Sequence, residues 1–249
     1  MPAKTNHPVF VQPENLNCRV WRYVDFTKFV ALLNSESLFF CRADLFKDPY
    51  EGCYTELNNE IKHLFLKNID ILNHERIKEV TLKLSKWIRQ WTYINCWHAN
   101  EYESAAMWGL YSNSKESIAI ETSYEKLKNV LPERTFLGLV NYIDYKNDYI
   151  PEGNTFNPFV HKRQSFMHEN EVRAIIQELP PKGEEKEVFE INNELNGISI
   201  KIDLNELIEV IHISPVAENW FEELVVDISQ KHGLNSKIIK SDLYNDPIH

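Results

Sequence analysis

The sequence predicts an α+β fold: a single domain with a mixed, mostly antiparallel sheet, flanking helices and a helical insertion. Short segments rich in β-branched and aromatic residues recur along the chain and are typical of strands. Segments with apolar residues at helical spacing lie between many of them. No internal repeat and no clear linker divides the 249 residues, which favours one body of packed layers.

Composition narrows the class of protein. Hydrophobic residues make up 43% of the chain and aromatic residues 12%, enough for a substantial core. Only seven glycines are present, and neither of the glycine-rich phosphate-binding motifs occurs. The net charge of -10 excludes general nucleic-acid binding through bulk charge, although a local basic cleft stays compatible with it.

The first part of the chain alternates strands and helices. Residues 1–17 are polar and contain prolines, so they predict an extended N-terminal arm before a single domain over residues 18–249. "RVWRYVDF" and "SLFFCRAD" predict two strands with a helix between them. A charged section at about residues 55–91 has apolar residues at helical spacing, which predicts an insertion of two helices. "TYINCWH" then predicts a strand.

The second part continues the alternation. "NEYESAAMWGLYS" has a capping-box pattern, Asn100 with Glu103, before good helix formers. "SIAIETS" and "FLGLVNYIDY" predict strands around a helix. Residues 153–168 predict a loop and a short helix, with Asn157 as N-cap and Pro158 at the first position. "EVRAIIQEL" predicts a strand, and residues 180–197 a charged, turn-rich excursion. Two strands around a short helix, a last helix and a closing strand follow.

The four cysteines indicate a reducing compartment. None of them forms a C-x-x-C pair, so no zinc ribbon or thioredoxin-type motif is visible. The first residues contain no apolar segment typical of a secretory signal. No stretch has the apolar length needed to span a bilayer. We therefore expect a cytoplasmic protein without a membrane partner.

Two glutamates stand out in "FMHENEVRAII". Glu169 and Glu171 lie one residue apart before an apolar run, and in a strand such residues project to the same face, roughly 7 Å apart. Two close carboxylates shift each other's pKa, so one can stay ionised and stabilise a cationic transition state while the other transfers a proton. By the same alternation, the opposite side is core, formed by Val172, Ala174 and Ile176.

The alternative for this pair is structural. Both glutamates would form the solvated start of a strand, with ion pairs to nearby Lys162, Arg163 or Arg173. Under the functional hypothesis the predicted short helix beside them supplies substrate-binding side chains instead, namely His161, Lys162 and Arg163. The spacing of the histidines does not match a metal motif, so no metal site is expected.

Arginines and aromatics elsewhere are candidates for binding a cofactor. Arg22, next to Tyr23, alternates onto the apolar face of the first strand. It needs an anionic partner there, either a core carboxylate or a ligand phosphate. Arg42 in the second strand raises the same question. Trp97 and Trp108 could form the walls of a pocket for a planar base together with His98, while Met107, Trp108 and Tyr111 are more simply core.

Several segments resemble a known family in their order along the chain. They are "WRYVDFTKFVALL", "LFFCRADLFKDPYEG", "NCWHANEYESAAMW", "GLVNYIDY" and "HKRQSFMHENEVRAI". Together they resemble the bacterial domain-of-unknown-function family numbered twenty-nine seventy-one, from about Arg19 to the last helix. The label of that family implies no activity.

A second resemblance concerns chemistry. "ENEVRAII" is similar to the catalytic Glu-x-Glu strand of ADP-ribosyltransferases, and "HKRQSFMHENEV" resembles the basic approach to the catalytic glutamate in DarT-like toxins. The resemblance implies that Glu171 holds the nicotinamide ribose and stabilises an oxocarbenium-like state. It implies that Glu169 orients or deprotonates the acceptor, and that Arg22 holds the NAD phosphates.

The resulting first hypothesis is an ADP-ribosyltransferase-like enzyme that cleaves NAD and modifies a nucleic acid or protein. Its setting would be a bacterial toxin–antitoxin or phage-defence system, with an antitoxin as partner. It requires Arg22 and Glu171 to face one cleft. A second hypothesis is a non-catalytic module that binds a nucleotide or a protein. A third is a metal-dependent nuclease using His98, Glu101 and Glu103.

Overall fold

A computed structural model describes residues 2–4, 6–66, 71–111, 114–180 and 192–247, except for the side chains of residues 71–74. It confirms the predicted class, since helices pack on a mixed, mostly antiparallel sheet of nine strands within these ranges. A separate small sheet pairs two further strands in parallel. None of the helices in the described part combines the length and apolarity that crossing a bilayer requires.

The strands in chain order are β1 Arg19–Asp25, β2 Ser37–Arg42, β3 Thr92–Ala99, β4 Ser117–Ser123, β5 Phe136–Leu139, β6 Asn141–Ile143, β7 His161–Arg163, β8 Glu171–Gln177, β9 Gly197–Lys201, β10 Val210–Ile213 and β11 Lys237–Lys240. The helices are α1 Phe26–Ser35, α2 Glu56–Leu66, α3 Ile71–Gln90, α4 Ala105–Tyr111, α5 Tyr124–Val130, α6 Leu204–Leu207 and α7 Asn219–Lys231. Helices α2 and α3 are the predicted insertion.

Strand β3 lies at the centre of the sheet, and its two edges differ. Strand β8 pairs with β3 along its whole length, and β5 pairs with β8 beyond it. The other edge of β3 is shared by β1 at one end and β2 at the other. On that edge the sheet therefore continues as two branches, one through β1 and one through β2. The paired residues on that edge are Val20 with Ala99, Trp21 with His98, Cys41 with Ile94 and Arg42 with Tyr93.

The two faces of the sheet have different character. Directly opposed residues of antiparallel strands project to the same side, so the registers assign each side chain to a face. One face forms the main core together with Phe29 and Leu33 of α1 and with α5. Fully burying such a side chain contributes about 1.5–3 kcal/mol. The predicted core positions of β8 are confirmed on this face: Val172, Ala174 and Ile176.

The predicted capping box before α4 is wrong. The hydroxyl of Ser104 accepts the backbone N–H of Met107 at 3.3 Å and so occupies the capping position. Glu103 is used elsewhere, because its carboxylate accepts the indole N–H of Trp108 at 2.9 Å and the hydroxyl of Ser241 at 2.7 Å. Because Glu103 makes these tertiary contacts, it does not cap the helix as the local sequence pattern predicted.

The short helix predicted to begin at Pro158 does not form as one helix. His161–Arg163 form β7, which runs parallel to β6, and 3₁₀ turns lie on either side at Asn157–Phe159 and Gln164–Glu169. Asn157 does not cap the first turn, since its side-chain amide donates to the carbonyl of Pro151 at 2.7 Å. Of the predicted excursion at residues 180–197, residues 181–191 lie outside the described residues.

Candidate functional site

The backbone brings Glu169 and Glu171 together by a route that differs from the predicted one. Glu169 ends a 3₁₀ turn and Glu171 begins β8, so the two do not share a strand. Asn170 between them has φ 36° and ψ 61°, a left-handed conformation that asparagine tolerates better than most residues. Its amide also donates to the carbonyl of Ala99 at 2.5 Å. This residue turns both carboxylates towards the same cation.

That cation is Lys162 of β7. Its ammonium group binds Glu171 Oε1 at 2.5 Å and also binds Glu169 Oε2. The structural alternative is confirmed in its ion pairs with Lys162 and Arg173 and wrong in its solvated strand start, because Glu169 is only 7% exposed and Glu171 only 5%. Arg163 does not join the cluster, since it pairs with Asp48 at 2.7 Å.

Arg173 is the second cation of the cluster. Its guanidinium is fully buried and binds Glu171 Oε2 at 2.6 Å and both oxygens of Glu51 at 2.5 and 2.9 Å. A further bond, at 2.7 Å, goes to the carbonyl of Phe159. Breaking a buried pair of this kind costs about 3–5 kcal/mol, because an uncompensated charge stays behind.

The cluster is one positive charge short of balance. Among the described residues, three carboxylates meet two cations: Glu51, Glu169 and Glu171 with Lys162 and Arg173. All five side chains are buried. In a buried site, an excess negative charge is removed at the lowest free-energy cost when one carboxylate binds a proton.

The two neighbouring glutamates respond in opposite directions. Burial raises the pKa of Glu169 to about 7, and the adjacent Glu171 carboxylate adds to this effect against the opposing Lys162. Burial also acts to raise the pKa of Glu171, but the Arg173 guanidinium, Glu169 and Lys162 together hold it well below its usual range. Such a pair can keep one member ionised while the other exchanges protons near neutral pH.

Three ring side chains surround the two glutamates. The hydroxyl of Tyr111, at the end of α4, donates to Glu169 Oε1 at 2.9 Å. The hydroxyl of Tyr142 accepts the backbone N–H of Glu171 at 2.9 Å. His98 lies opposite Glu171 in the β3–β8 pair, and its Nδ1 is 2.6 Å from the carbonyl of Glu169. Burial lowers the pKa of His98, so its ring is neutral at pH 7.

Arg22 lies on the other face of the sheet, so the predicted common cleft with Glu171 is wrong. Its neighbour Trp21 is opposite His98, which places Trp21 on the side of Glu171 and Arg22 on the side of the main core. The Arg22 guanidinium lies 5.8 Å from the Trp97 ring, and its Nη1 is buried without a partner. Burial lowers the pKa of Arg22 to about 10.

The aromatic candidates divide between the two faces. Tyr23 lies on the side of Glu171, where its hydroxyl accepts the N–H of Ser104 at 2.8 Å and its ring lies 5.1 Å from that of Trp108. Trp97 belongs to the main core, and its indole N–H donates to Asn95 at 2.7 Å. The predicted pocket between Trp97, His98 and Trp108 therefore does not form, and Trp108 is a buried core residue.

The remaining candidates have structural partners. Arg42 binds Asp44 at 2.6 Å and two backbone carbonyls of the segment before β9, so its guanidinium fixes that segment to β2. The ring of His161 bonds to the carbonyl of Asn157 at 2.6 Å. The guanidinium of Arg42 is therefore not free to hold a cofactor, and Nδ1 of His161 is not free to bind a substrate.

The ligand set of the nuclease hypothesis does not assemble. His98 directs one ring nitrogen at a carbonyl, and Glu103 is bound by Trp108 and Ser241. In the described ranges no group of three or more histidine, cysteine, aspartate or glutamate residues has a geometry that could hold a metal ion.

Sequence reasoning missed Glu51, Tyr111 and Tyr142. Glu51 follows β2 in a loop and lies 122 positions from Arg173, so no local pattern connects the two. Arg173 is one of the predicted ion-pair partners of the glutamates, and its position two residues after Glu171 on the same face of one strand is the local signal for that pair.

Comparisons of this chain with protein-family models, curated proteins and solved structures found no match. The resemblances to the domain-of-unknown-function family and to ADP-ribosyltransferases therefore stay predictions made from the sequence.

Proposed function

We propose that this protein is an ADP-ribosyltransferase-like enzyme that cleaves NAD, with its chemistry on the Glu169 and Glu171 side of the sheet. The observation that supports the proposal most is one buried lysine bound to two carboxylates whose pKa values are displaced in opposite directions. Paired carboxylates with separated roles are suited to glycosidic bond cleavage through a cationic transition state.

The roles follow from the charges. Glu171 stays ionised and stabilises the positive charge that develops on the ribose as its bond to nicotinamide breaks. The bonding electrons move to the ring nitrogen, and neutral nicotinamide leaves. The acceptor oxygen or nitrogen then bonds to the ribose carbon and gives its proton to Glu169. Lys162 keeps both carboxylates in place.

The requirement that Arg22 and Glu171 face one cleft is not met, because Arg22 projects to the opposite face of the sheet. The proposal therefore rests on the pair of glutamates alone and assigns no residue to the NAD phosphates. Tyr23 and Trp108 are the cofactor candidates that pack on the face of the cluster. The acceptor in this proposal is a nucleic acid or a protein, and the setting is a bacterial toxin–antitoxin or phage-defence system in the cytoplasm. The four cysteines are free thiols, as a reducing compartment requires.

Nicotinamide release from NAD tests the proposal. We expect the Glu171→Gln and Glu169→Gln variants to lose at least about 100-fold in rate, the scale seen when a transition-state partner is removed. Glu121→Gln is the matched control, since Glu121 is also buried and paired, with His212 at 2.6 Å, but outside the cluster. Full turnover by a folded Glu171→Gln variant contradicts the proposal.

A second candidate is a module that binds a nucleotide or a partner protein without turnover. It is favoured by the burial of Glu171 and by the binding of both its oxygens to protein cations. In that case NAD yields no nicotinamide with any acceptor preparation, while a nucleotide still raises the melting temperature.

A further inference from the structure

A cavity of about 200 Å³ lies between helices α2 and α3 and the segment that joins β6 to β7. An engineered cavity of about 150 Å³ holds one benzene molecule, so this cavity has room for a ring side chain and a few polar atoms. One wall is apolar and is formed by Leu84, Ile88, Pro158 and Phe159.

The polar wall of the cavity contains an ion pair. Lys62 Nζ lies 3.2 Å from Glu152 Oε1 and 4.6 Å from the centre of the Tyr54 ring. Asn58 is fully buried and donates to the same carboxylate oxygen at 2.9 Å, so it fixes Glu152 in this position. Among the described residues, Glu152 Oε2 has no hydrogen-bond partner and Lys62 has no second carboxylate. Each charge can therefore take a further partner of opposite sign.

Two hydroxyl groups lie close to this pair along α3. Thr81 and Ser85 are four residues apart, so their side chains share one face of the helix, and both line the cavity. Within the described ranges neither hydroxyl has a hydrogen-bond partner. A hydroxyl both donates and accepts, so these two groups can bind either a carboxylate or an ammonium group.

The two charges select the class of ligand. An anion would pair with Lys62 but would be repelled by Glu152, and a cation would meet the reverse. A neutral ligand leaves the ion pair closed and gains nothing from it. A zwitterion gives each charge a partner, and it separates a pair whose side chains are 29% and 31% exposed. Separation costs little, because an ion pair this exposed to solvent contributes little to stability.

We infer that this cavity binds a free α-amino acid with an apolar side chain of about the size of that of phenylalanine. Its ammonium group pairs with Glu152, its carboxylate pairs with Lys62, and its side chain packs on the apolar wall. This is a binding site additional to the paired glutamates, neither of which lines the cavity.

The cavity is adjacent to the ion cluster. Gly52 directly follows Glu51, and it packs against Phe159 so closely that a Cβ at this position would overlap the ring. The carbonyl of Phe159 accepts a hydrogen bond from Arg173 at 2.7 Å. A ligand on the Phe159 ring therefore contacts the residues next to the cluster without reaching the glutamates at the start of β8. The inference is thus independent of NAD cleavage.

Four ligands separate the charges from the ring. L-phenylalanine has both charges and the ring, phenethylamine lacks the carboxylate, hydrocinnamate lacks the ammonium group, and glycine lacks the ring. By calorimetry on the full chain at pH 7 we expect L-phenylalanine to bind at least about tenfold more tightly than each of the others, since each lacks one charged or apolar contact.

Three variants assign the contacts to residues. Lys62→Met leaves Glu152 without its cation, so phenethylamine should bind at least as tightly as L-phenylalanine. Glu152→Gln should produce the same reversal for hydrocinnamate. Ser85→Leu fills the cavity and should abolish binding of all four ligands. Lys126→Met is the matched control, because Lys126 also pairs with a glutamate, at 2.9 Å, outside the cavity, and this variant should bind as the unchanged chain does.

The outcomes are distinct once circular dichroism has shown that each variant is folded. The expected order of affinities with both reversals supports the inference. Binding of none of the four ligands by the unchanged chain overturns it, and so does equal binding of L-phenylalanine and either singly charged analogue. Binding that survives Ser85→Leu places the ligand elsewhere and overturns it as well.

Discussion

Arg173 is fully buried and Arg22 is half-buried; they lie on the two strands that flank the centre of the sheet, and their surroundings are opposite. Arg173 donates to two carboxylates and a carbonyl, and these partners raise its pKa well above the usual range despite burial. Arg22 projects to the other face, where burial lowers its pKa to about 10 and Nη1 has no partner. An arginine within a strand pattern therefore does not reveal by itself whether it is structural or awaits a ligand.

The largest expected effect comes from Arg173→Met. This change leaves Glu51 and Glu171 buried without their guanidinium, so we expect a loss of about 3–5 kcal/mol in the free energy of unfolding. Urea denaturation monitored by tryptophan fluorescence measures it. A loss below about 1 kcal/mol would mean that the cluster is more hydrated than its burial indicates.

The next effect concerns the bend between the two glutamates. Asn170→Val places a β-branched residue at φ 36° and should cost about 1–3 kcal/mol. Asn170→Gly accepts the conformation and should cost less, about 1 kcal/mol for the lost bond to Ala99. Equal losses in the two variants would show that the left-handed backbone is not what positions Glu169.

The pH dependence of stability distinguishes Glu169 from its neighbour. The pKa of Glu169 rises from 4.5 to about 7 on folding, so the folded state holds more protons between these values. Stability from this group is therefore fully present below pH 4.5 and declines as pH rises to 7, by on the order of 2 kcal/mol. Glu169→Gln should flatten this slope in unfolding curves from pH 4.5 to 7.5, and an unchanged slope would place the excess proton elsewhere.

The smallest effect is expected for Arg22→Met. The unpartnered Nη1 contributes no hydrogen bond, and methionine fits the apolar surroundings of the main core. The free energy of unfolding should change by less than about 1 kcal/mol, in either direction. A loss as large as that of Arg173→Met would contradict the comparison and reveal a hidden anionic partner.

The sequence predicts the fold class and the buried side of β8 because alternation and helical spacing are local properties. It predicts Glu169 and Glu171 as a pair, although for the wrong geometric reason, since Asn170 rather than a shared strand brings them together. It does not predict Glu51 or the face of Arg22 relative to Glu171. Those depend on strand register and on a loop contact across 122 positions.

The N-terminal arm covers an edge of the sheet that could otherwise pair with another copy of this chain. Lys4 and Val11 form bridges to the outer side of β5, the last strand on its branch of the sheet. Gly138 permits this close approach, since a Cβ there would lie 2.9 Å from that of Phe10. An uncovered strand edge is a template for pairing with another molecule. The arm therefore covers this edge, and its removal should expose β5 to pairing with another molecule.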